Sequence, residues 1–363
     1  MSDETSNHPA ATASPLVSVI TTTYNGTAYL RETIDSLLQQ TLRDFEYIII
    51  DDCSRDGTVA LIQSYDDPRI VLVQNNPNRG ISESRNLGFR MARGTYIATL
   101  DQDDVCDPQR LEKQVRHLEE HPDVSVVASR VHLLVDGVRK PDPMAAQAHH
   151  LLIHFAFFFG RHNTTYSSLC LSRQFVVEND LYFNRRFHYA EDYELFGRIA
   201  DCGRFAILPE PLVAYRLHAQ NNSKLHFEEM AANGMAFMKE RYAQELGRPI
   251  DDTEGRRIWD GLVAKQPPSS LDGLRELGRL MSEFTPKFVT RHAASSQQKQ
   301  EVQVLAAQLW HEIVDRSVRT LGLQAETVRG EFDALLAWSP PPMARLRTVV
   351  RGALKRPGRQ ART

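Results

Sequence analysis

The stretch Val17–Thr23 (VSVITTT) is the first of four short apolar runs that decide the fold of this chain. The other three are Tyr47–Ile50 (YIII), Ile70–Val73 (IVLV) and Tyr96–Leu100 (YIATL). All four are rich in β-branched residues. Continuous runs of this kind are typical of parallel strands that are buried on both faces of a sheet.

Segments with helical spacing of apolar residues separate the runs. They are Tyr29–Gln40, Thr58–Tyr65 and Ile81–Ala92, and a fourth helix is predicted to begin after Asp107 as its N-cap, with Pro108 in the first position. This alternation predicts an α/β fold with a doubly wound, Rossmann-like, mostly parallel sheet. Because ligands bind beyond the carboxyl ends of the strands in such sheets, we expect the functional residues there.

The composition is that of an ordinary globular protein, with 42% hydrophobic and 25% charged residues among 363. A net charge of −3 gives no reason to expect a nucleic-acid partner. The four cysteines lie far apart without CxxC spacing, which argues against a zinc site and a disulfide framework. The chain shows neither a signal-peptide pattern nor an apolar run of membrane-spanning length, so we expect a cytoplasmic protein.

Changes in pattern along the chain predict four segments. Residues 1–14 are polar and expected to be disordered, 15–226 carry the strand–helix alternation, 227–338 are helical, and 339–363 form a basic, flexible tail. The clearest helix of the third segment is Gln297–Leu321, whose apolar residues fall on one stripe. The helical region is a candidate homo-oligomer interface, and the tail is a candidate peripheral contact with the inner face of a membrane.

Two carboxylates, Asp101 and Asp103, follow the fourth run directly. Hard divalent cations prefer oxygen ligands, and Mg²⁺ or Mn²⁺ commonly binds one or two carboxylates together with substrate phosphates. Taken alone, an Asp-x-Asp is more typical of a solvated turn. Its place at the end of a buried strand favours a metal site.

A second acidic pair, Asp51 and Asp52, follows the second run. An aspartate at this position can accept a hydrogen bond from the imide N–H of a uracil. The neighbouring residues Asp56, Gly57 and Thr58 are explained by a turn and a helix start, an interpretation that accounts less well for the two preceding carboxylates.

Two further groups of polar residues lie later in the chain. Glu191 and Asp192 fall at the start of a helical pattern, where the helix dipole also favours acidic residues. His218 follows a strand-like run, Phe205–Tyr215. A lone histidine is more often structural or exposed than functional, so the residues leave both interpretations open.

Together these pieces resemble glycosyltransferase family 2, whose members are inverting nucleotide-sugar enzymes of the GT-A fold. The resemblance covers residues 16–223, and its order and spacing match the family. The matching pieces are VSVITTTYNG, FEYIIIDDCSRDGT, NPNRGISESRNLGFRMARGTYIATLDQDD, AEDYELFGRIADCG and YRLHAQNNS. The resemblance implies a GT-A catalytic domain over residues 15–226, followed by the C-terminal α-helical region.

The resemblance also implies the residues that bind the nucleotide. Thr22, Tyr24 and Asp52 fall where the family holds uracil and ribose, and Asp51 lies beside them. Arg85 falls at the family's nucleotide-contacting basic position, although Ser84 precedes it where the family often has alanine.

Four residues match the positions that carry the chemistry in the family. Asp101 and Asp103 match its Asp-x-Asp, in which Asp103 is the expected metal ligand and Asp101 serves both metal and nucleotide. Asp192 matches the catalytic base. His218 matches a histidine that contacts the metal or the diphosphate in some members.

The implied activity is transfer of a hexosyl or N-acetylhexosaminyl group from a nucleotide-sugar donor, usually a UDP-sugar, with Mn²⁺ or Mg²⁺. The implied acceptor is a hydroxyl of a saccharide or glycolipid, and the usual setting is synthesis of bacterial surface polysaccharide or glycoconjugate. Two alternatives stay open, a catalytically inactive sugar-nucleotide-binding module and a nucleotidyltransferase. This chain lacks the glycine-rich phosphate loop that a nucleotidyltransferase normally has just after the first strand. It also lacks, at the same position, the GxGxxG of a dinucleotide-dependent dehydrogenase.

Overall fold

The computed structural model of the chain describes residues 14–143, 149–161 and 164–322. The expectations for residues 1–13 of the N-terminal segment and for the basic tail lie outside these residues, as does the part of the helical region after residue 322. The first half of the chain alternates strands and helices. Its elements are β1 (Val17–Thr23), α1 (Leu30–Leu38), β2 (Phe45–Asp51), α2 (Thr58–Gln63), β3 (Ile70–Gln74), α3 (Ile81–Met91), β4 (Tyr96–Thr99), β5 (Val105–Cys106) and α4 (Arg110–Glu120).

The second half begins with further strands and ends in helices. The remaining strands are β6 (Val126–Val135), β7 (Val138–Pro141), β8 (Cys170–Ser172) and β9 (Phe205–Leu217). The remaining helices are α5 (His150–Phe157), α6 (Arg173–Glu178), α7 (Glu191–Cys202), α8 (Asn222–Leu225), α9 (Phe227–Leu246), α10 (Asp252–Ile258), α11 (Leu271–His292) and α12 (Ser296–Leu321).

The four runs expected to be strands form one parallel block in the order β3-β2-β1-β4. In register, Val17 of β1 pairs with Phe45 of β2 on one side and with Tyr96 of β4 on the other. Every residue of β2 is buried, as expected for a strand that is covered on both faces. The parallel arrangement brings the polar residues that follow each strand to the same edge of the sheet.

Beyond β4 the sheet becomes mixed. The order continues β8-β6-β9-β5, with β8 antiparallel to β4 and β9 parallel to β6. Strand β9 shifts register against β6 around Arg130 and then runs on to Leu217, next to His218. The predicted α/β sheet and the C-terminal helical region are both confirmed, with the antiparallel strands as an addition.

The end of β4 is fixed by a fully buried arginine on α4. The Arg110 guanidinium donates to the carbonyl oxygens of Thr99 at 2.8 Å and Leu169 at 3.0 Å, and its Nε donates to Gln114. Because a buried guanidinium without acceptors would be costly, these oxygens have to stay within hydrogen-bonding distance of Arg110. It holds the backbone just before Asp101.

The predicted start of α4 is wrong by two residues. The helix begins at Arg110 and Gln109 occupies the N-cap position. Asp107 instead accepts a hydrogen bond from the N–H of Gln109 at 3.0 Å, which closes a local turn before the helix.

The described residues fall into two compact units, 14–154 with 164–237 and 155–161 with 238–322. The first contains the sheet. The second is helical and has an aromatic core in which Phe155 and Phe158 pack against Tyr242, Phe284 and Phe288 at ring distances between 4.8 and 5.9 Å. Among the residues described, no helix is both long enough and apolar enough to cross a membrane.

Candidate active site

The carboxyl edge of the parallel block borders one cavity of about 880 Å³. It is lined by the loops after the first four strands, by the start of α7 and by residues after β9, all within the first unit. The sequence-predicted residues that line it are Thr22, Tyr24, Asp52, Arg85, Asp101, Asp103, Asp192 and His218. The fold therefore brings together residues up to 196 positions apart, from Thr22 to His218.

Asp51 is the one predicted residue that does not line the cavity. It ends β2 and is 2% exposed. Its Oδ2 accepts a hydrogen bond from the N–H of Ser54 at 3.0 Å, which shapes the turn after the strand. Its neighbour Asp52 lines the cavity instead.

Asp52 organises the loop between β3 and α3. Its carboxylate accepts hydrogen bonds from the side-chain amide of Asn75 at 2.9 Å and from the N–H groups of Arg79 and Gly80, each at 2.8 Å. Gly80 has a φ of +84°, a conformation that favours glycine. Asp52 thus connects the ends of β2 and β3 at the cavity wall. Tyr24, which directly follows β1, is 46% exposed.

Gln102, between the two aspartates of Asp-x-Asp, connects that motif to the end of β1. Its Oε1 accepts from the hydroxyl of Thr23 at 2.7 Å and from the N–H of Tyr24 at 3.0 Å. A Cβ on Gly26 would lie 2.5 Å from Thr23 Oγ1 and 2.6 Å from the same Oε1 atom, so a larger residue there would displace this hydrogen bond. The middle residue of the motif therefore has a structural role here, which no local pattern predicted.

Arg85 is buried and bridges two carboxylates from distant elements. One terminal nitrogen lies 2.9 Å from Asp101 and the other 2.9 Å from Glu191, while the guanidinium lies 3.7 Å from the ring of Tyr166. Burial opposes the charged form, but Asp101 and Glu191 raise the pKa of Arg85, so the guanidinium stays cationic. Both terminal nitrogens already have partners, and the sequence did not reveal the bridge to Glu191.

Asp103 and His218 form a close pair at the cavity wall. His218 Nε2 lies 2.7 Å from Asp103 Oδ2. Burial, followed by the nearby charge of Asp101, raises the pKa of Asp103 above its usual value.

Arg216 holds this corner from behind. Its Nε donates to the backbone oxygen of Asp103 at 2.7 Å, and its Nη2 forms an ion pair with Glu32 of α1. Its N–H donates to Asp104 at 2.8 Å. Arg216 was not among the predicted site residues, and its charge directly after the strand-like run Phe205–Tyr215 was the available signal.

The carboxylate oxygens of Asp101 and Asp103 are suitable ligands for a hard divalent cation. Asp101 and Asp103 are close enough for one charge to raise the pKa of the other, a repulsion that a cation would relieve. Among the described residues, no group of three or more His, Cys, Asp and Glu side chains forms a ready-made metal site. The two carboxylates would thus share the cation with oxygens of a bound substrate, as Mg²⁺ commonly does.

Asp192 lies in the first turn of α7 and faces the cavity. Its Oδ1 accepts a hydrogen bond from the N–H of Tyr193 at 2.7 Å. Burial raises the pKa of Asp192 above its usual value, although the charge of Arg85 opposes the rise. A carboxylate with a raised pKa at a cavity wall is suited to accept a proton.

The chain is similar to known glycosyltransferases. The family described as Glycosyl transferase family 2 matches residues 18–180. An uncharacterized glycosyltransferase of Haemophilus influenzae is 31% identical over 64% of this chain and 75% of its own length. The succinoglycan biosynthesis protein ExoO of Rhizobium meliloti is 29% identical over 74% of this chain and 77% of its own.

Among solved structures, the chain is similar to S. aureus TarS 1–349 in complex with UDP-GlcNAc. The TM-score is 0.54 and the identity 17%, over 85% of this chain and 92% of that one. At this identity the likeness shows the fold, which is that of GT-A glycosyltransferases.

Proposed function

Since the chain belongs to glycosyl transferase family 2, we propose that it transfers a sugar with inversion from a nucleotide diphosphate donor to an acceptor hydroxyl. The proposed donor is a UDP-sugar carrying a hexosyl or N-acetylhexosaminyl group. One observation carries the proposal: Asp52, Asp103 and Asp192 line the same cavity of about 880 Å³. That volume is in the range of cavities that enclose ligands of this size.

In the proposed reaction Asp192 acts as the general base. Its carboxylate takes the proton of the acceptor hydroxyl while the acceptor oxygen forms a bond to the anomeric carbon. The bond from that carbon to the diphosphate oxygen breaks with its electron pair, and the diphosphate leaves from the opposite face. A single displacement of this kind inverts the anomeric configuration.

Other residues hold the donor in this proposal. Thr22 and Tyr24 contact the nucleoside, and Asp52 fixes the loop that surrounds it. A divalent cation held by Asp101 and Asp103, beside His218, would neutralise the negative charge of the leaving diphosphate. Arg85 keeps Asp101 in place through its ion pair, and that is the positioning role we assign to it.

The proposed setting is the synthesis of a surface polysaccharide or glycoconjugate, with a saccharide or glycolipid as acceptor. Support comes from the similarity to a succinoglycan biosynthesis protein. A likeness to the putative teichuronic acid biosynthesis glycosyltransferase TuaG of Bacillus subtilis, 44% identical over 29% of this chain, points the same way.

A donor screen tests the proposal. The full-length protein with Mn²⁺ is mixed with UDP, GDP and dTDP in a thermal-shift assay, and then with the corresponding sugar nucleotides in a hydrolysis assay. We expect UDP to stabilise the fold most and a UDP-sugar to be cleaved slowly by water. Binding without any cleavage or transfer would support the inactive binding module instead.

A further inference from the structure

Gln102 lines the cavity between the two aspartates of Asp-x-Asp, and its side-chain amide is held in one orientation. Its Oε1 accepts a hydrogen bond from the backbone N–H of Tyr24 at 3.0 Å. A backbone N–H can only donate, so the amide atom that faces Tyr24 must be the oxygen. The amide nitrogen, Nε2, therefore lies on the side of the amide group that does not face Tyr24.

Two further hydrogen bonds make Gln102 rigid. The hydroxyl of Thr23 donates to Oε1 at 2.7 Å, and the hydroxyl of the buried Thr33 on α1 donates to the backbone oxygen of Gln102 at 2.9 Å. A free glutamine side chain loses much rotamer freedom when it binds a ligand. Here the fold has already removed that freedom, so a hydrogen bond from Nε2 to a ligand needs little further ordering.

The amide nitrogen is the unused part of this arrangement. Within the part of the chain that the structure describes, Nε2 of Gln102 makes no hydrogen bond to the protein, and it is open to solvent. Because Gln102 lines the cavity, the N–H groups of Nε2 are available to a bound molecule that offers an acceptor oxygen.

The position of Gln102 indicates which part of the donor it meets. The proposed function assigns its two neighbours in the chain, Asp101 and Asp103, to the cation at the diphosphate. It assigns Tyr24, which Gln102 contacts directly, to the nucleoside. The ribose joins the base to the diphosphate, so it lies between these two ends. Its hydroxyl oxygens are acceptors for an amide N–H.

We propose that Gln102 is a specificity-determining residue that donates a hydrogen bond to a ribose hydroxyl of the nucleotide. The inference rests on the proposed function, because it needs the nucleoside at Tyr24 and the diphosphate at Asp101 and Asp103. Ionised carboxylates only accept hydrogen bonds from a hydroxyl, whereas this amide donates to its oxygen. Gln102 thus supplies a contact that the acidic residues of the cavity do not.

Deoxynucleotides test this contact. The full-length protein with Mn²⁺ is titrated calorimetrically with UDP, 2′-deoxy-UDP and 3′-deoxy-UDP, which carry the same charge. UDP should bind about three- to tenfold more tightly than at least one of the two analogues, the usual effect of one hydrogen bond. Equal affinities for all three ligands would overturn the proposal.

Gln102→Met removes the amide and keeps the length of the side chain. It also removes the acceptor for Thr23 and Tyr24, a loss that affects UDP and its analogues alike. The informative quantity is therefore the ratio of the UDP affinity to the deoxy-UDP affinity, which should fall at least about threefold. A ratio that stays at the wild-type value would mean that Gln102 only holds the loop, and would contradict the proposal.

Gln40→Met is the matched control. Gln40 is buried outside the cavity, where its Oε1 accepts from the N–H of Leu111 at 3.0 Å and its Nε2 donates to the backbone oxygen of Asp107 at 2.7 Å. The same substitution thus breaks hydrogen bonds of the same kind at a distance from the nucleotide. It should lower the thermal midpoint and leave the affinity ratio unchanged. An equal fall of the ratio in Gln40→Met would attribute the effect to stability and contradict the proposal.

Uridine separates a ribose contact from a phosphate contact, because it has the ribose and no phosphate. If Gln102→Met weakens UDP but neither uridine nor the deoxy ratio changes, the amide contacts the diphosphate and the ribose assignment is overturned. If the wild-type protein cleaves a UDP-sugar without any deoxy preference, only this inference fails. If it binds no nucleoside diphosphate, the proposed function fails as well.

Discussion

Asp192 is the residue on which the proposed chemistry depends most. Asp192→Asn keeps the shape and the hydrogen bond from Tyr193 but cannot accept a proton. We expect transfer to fall roughly a hundred- to ten-thousand-fold, with nucleotide affinity unchanged. The control is Asp66→Asn, an exposed residue outside the cavity. Turnover near the wild-type rate in Asp192→Asn would remove this residue as the base.

The pH dependence of transfer follows from the same carboxylate. Burial raises the pKa of Asp192, and only its deprotonated form can act as a base. The rate should therefore fall as the pH drops through this raised pKa, at a higher pH than the value of about 3.9 for a free aspartate. A profile of kcat between pH 4 and pH 8 measures it, since kcat reports the groups of the enzyme–substrate complex. An acid limb at or below the ordinary aspartate value would contradict the assignment.

Single residues were predictable where a short motif follows a strand. Asp52, Asp103 and Asp192 could be named from the sequence because Asp52 directly follows β2, Asp103 belongs to the Asp-x-Asp shortly after β4, and Asp192 lies in the first turn of α7. Their partners could not. The ion pair between Arg85 and Glu191 joins residues 106 positions apart, and no local pattern encodes such a contact.

At the level of elements, the bridge through Arg85 connects the end of β4 with the start of α7. Glu191→Gln would leave the buried guanidinium with one carboxylate partner, and breaking a buried pair costs roughly 3–5 kcal/mol. We expect a lower midpoint of urea unfolding together with a fall in kcat, because Asp192 follows Glu191 on the same helix turn.

A matched variant separates the two effects. Glu194→Gln removes another buried carboxylate of α7, which pairs with Arg198 at 2.8 Å away from the cavity. It should lower stability, by less because Arg198 is 31% exposed, and leave kcat almost unchanged. Equal losses of kcat in both variants would mean that the bridge has no special link to the base.

Strands were easiest to predict where both faces are buried. The runs predicted as β1 to β4 lie within two residues of the observed strands. Burial on both faces explains the uninterrupted apolar runs of β1, β2 and β4, whereas the residues of β3 are only partly buried and Gln74 is exposed. Strand β7 (VRKP) is exposed along its length and carries no such signal. The start of α4 was misplaced because Asp107 has the right residue type for a cap but uses its side chain in the preceding turn.

For the whole molecule, the proposed metal dependence is the property that can be checked most simply. Removal of divalent cations with EDTA should abolish transfer, and Mn²⁺ or Mg²⁺ should restore it, because the charge of the leaving diphosphate would otherwise go uncompensated. Asp103→Asn should need a much higher Mn²⁺ concentration for half-maximal rate. Full activity in EDTA would overturn the metal assignment.

The assignment of catalysis to one part of the chain stays a proposal. Every residue that lines the cavity belongs to the first unit, and all of them except Met230 fall within residues 15–226, which supports placing catalysis there. The second unit has its own aromatic core and a long final helix, α12, which begins with a capping box between Ser295 and Gln298. Oligomer formation by the helical region and membrane contact by the basic tail remain predictions from the sequence.

The proposed function requires that nucleotide, metal and base residues act on one donor in one cavity. A crystal structure of Asp192→Asn with Mn²⁺ and the UDP-sugar that the donor screen selects would show whether they do. We predict the uracil beside Tyr24 and Asp52, the diphosphate at Asp101 and Asp103, and the anomeric carbon facing residue 192. A donor bound elsewhere, or one whose sugar points away from residue 192, would overturn the proposed function.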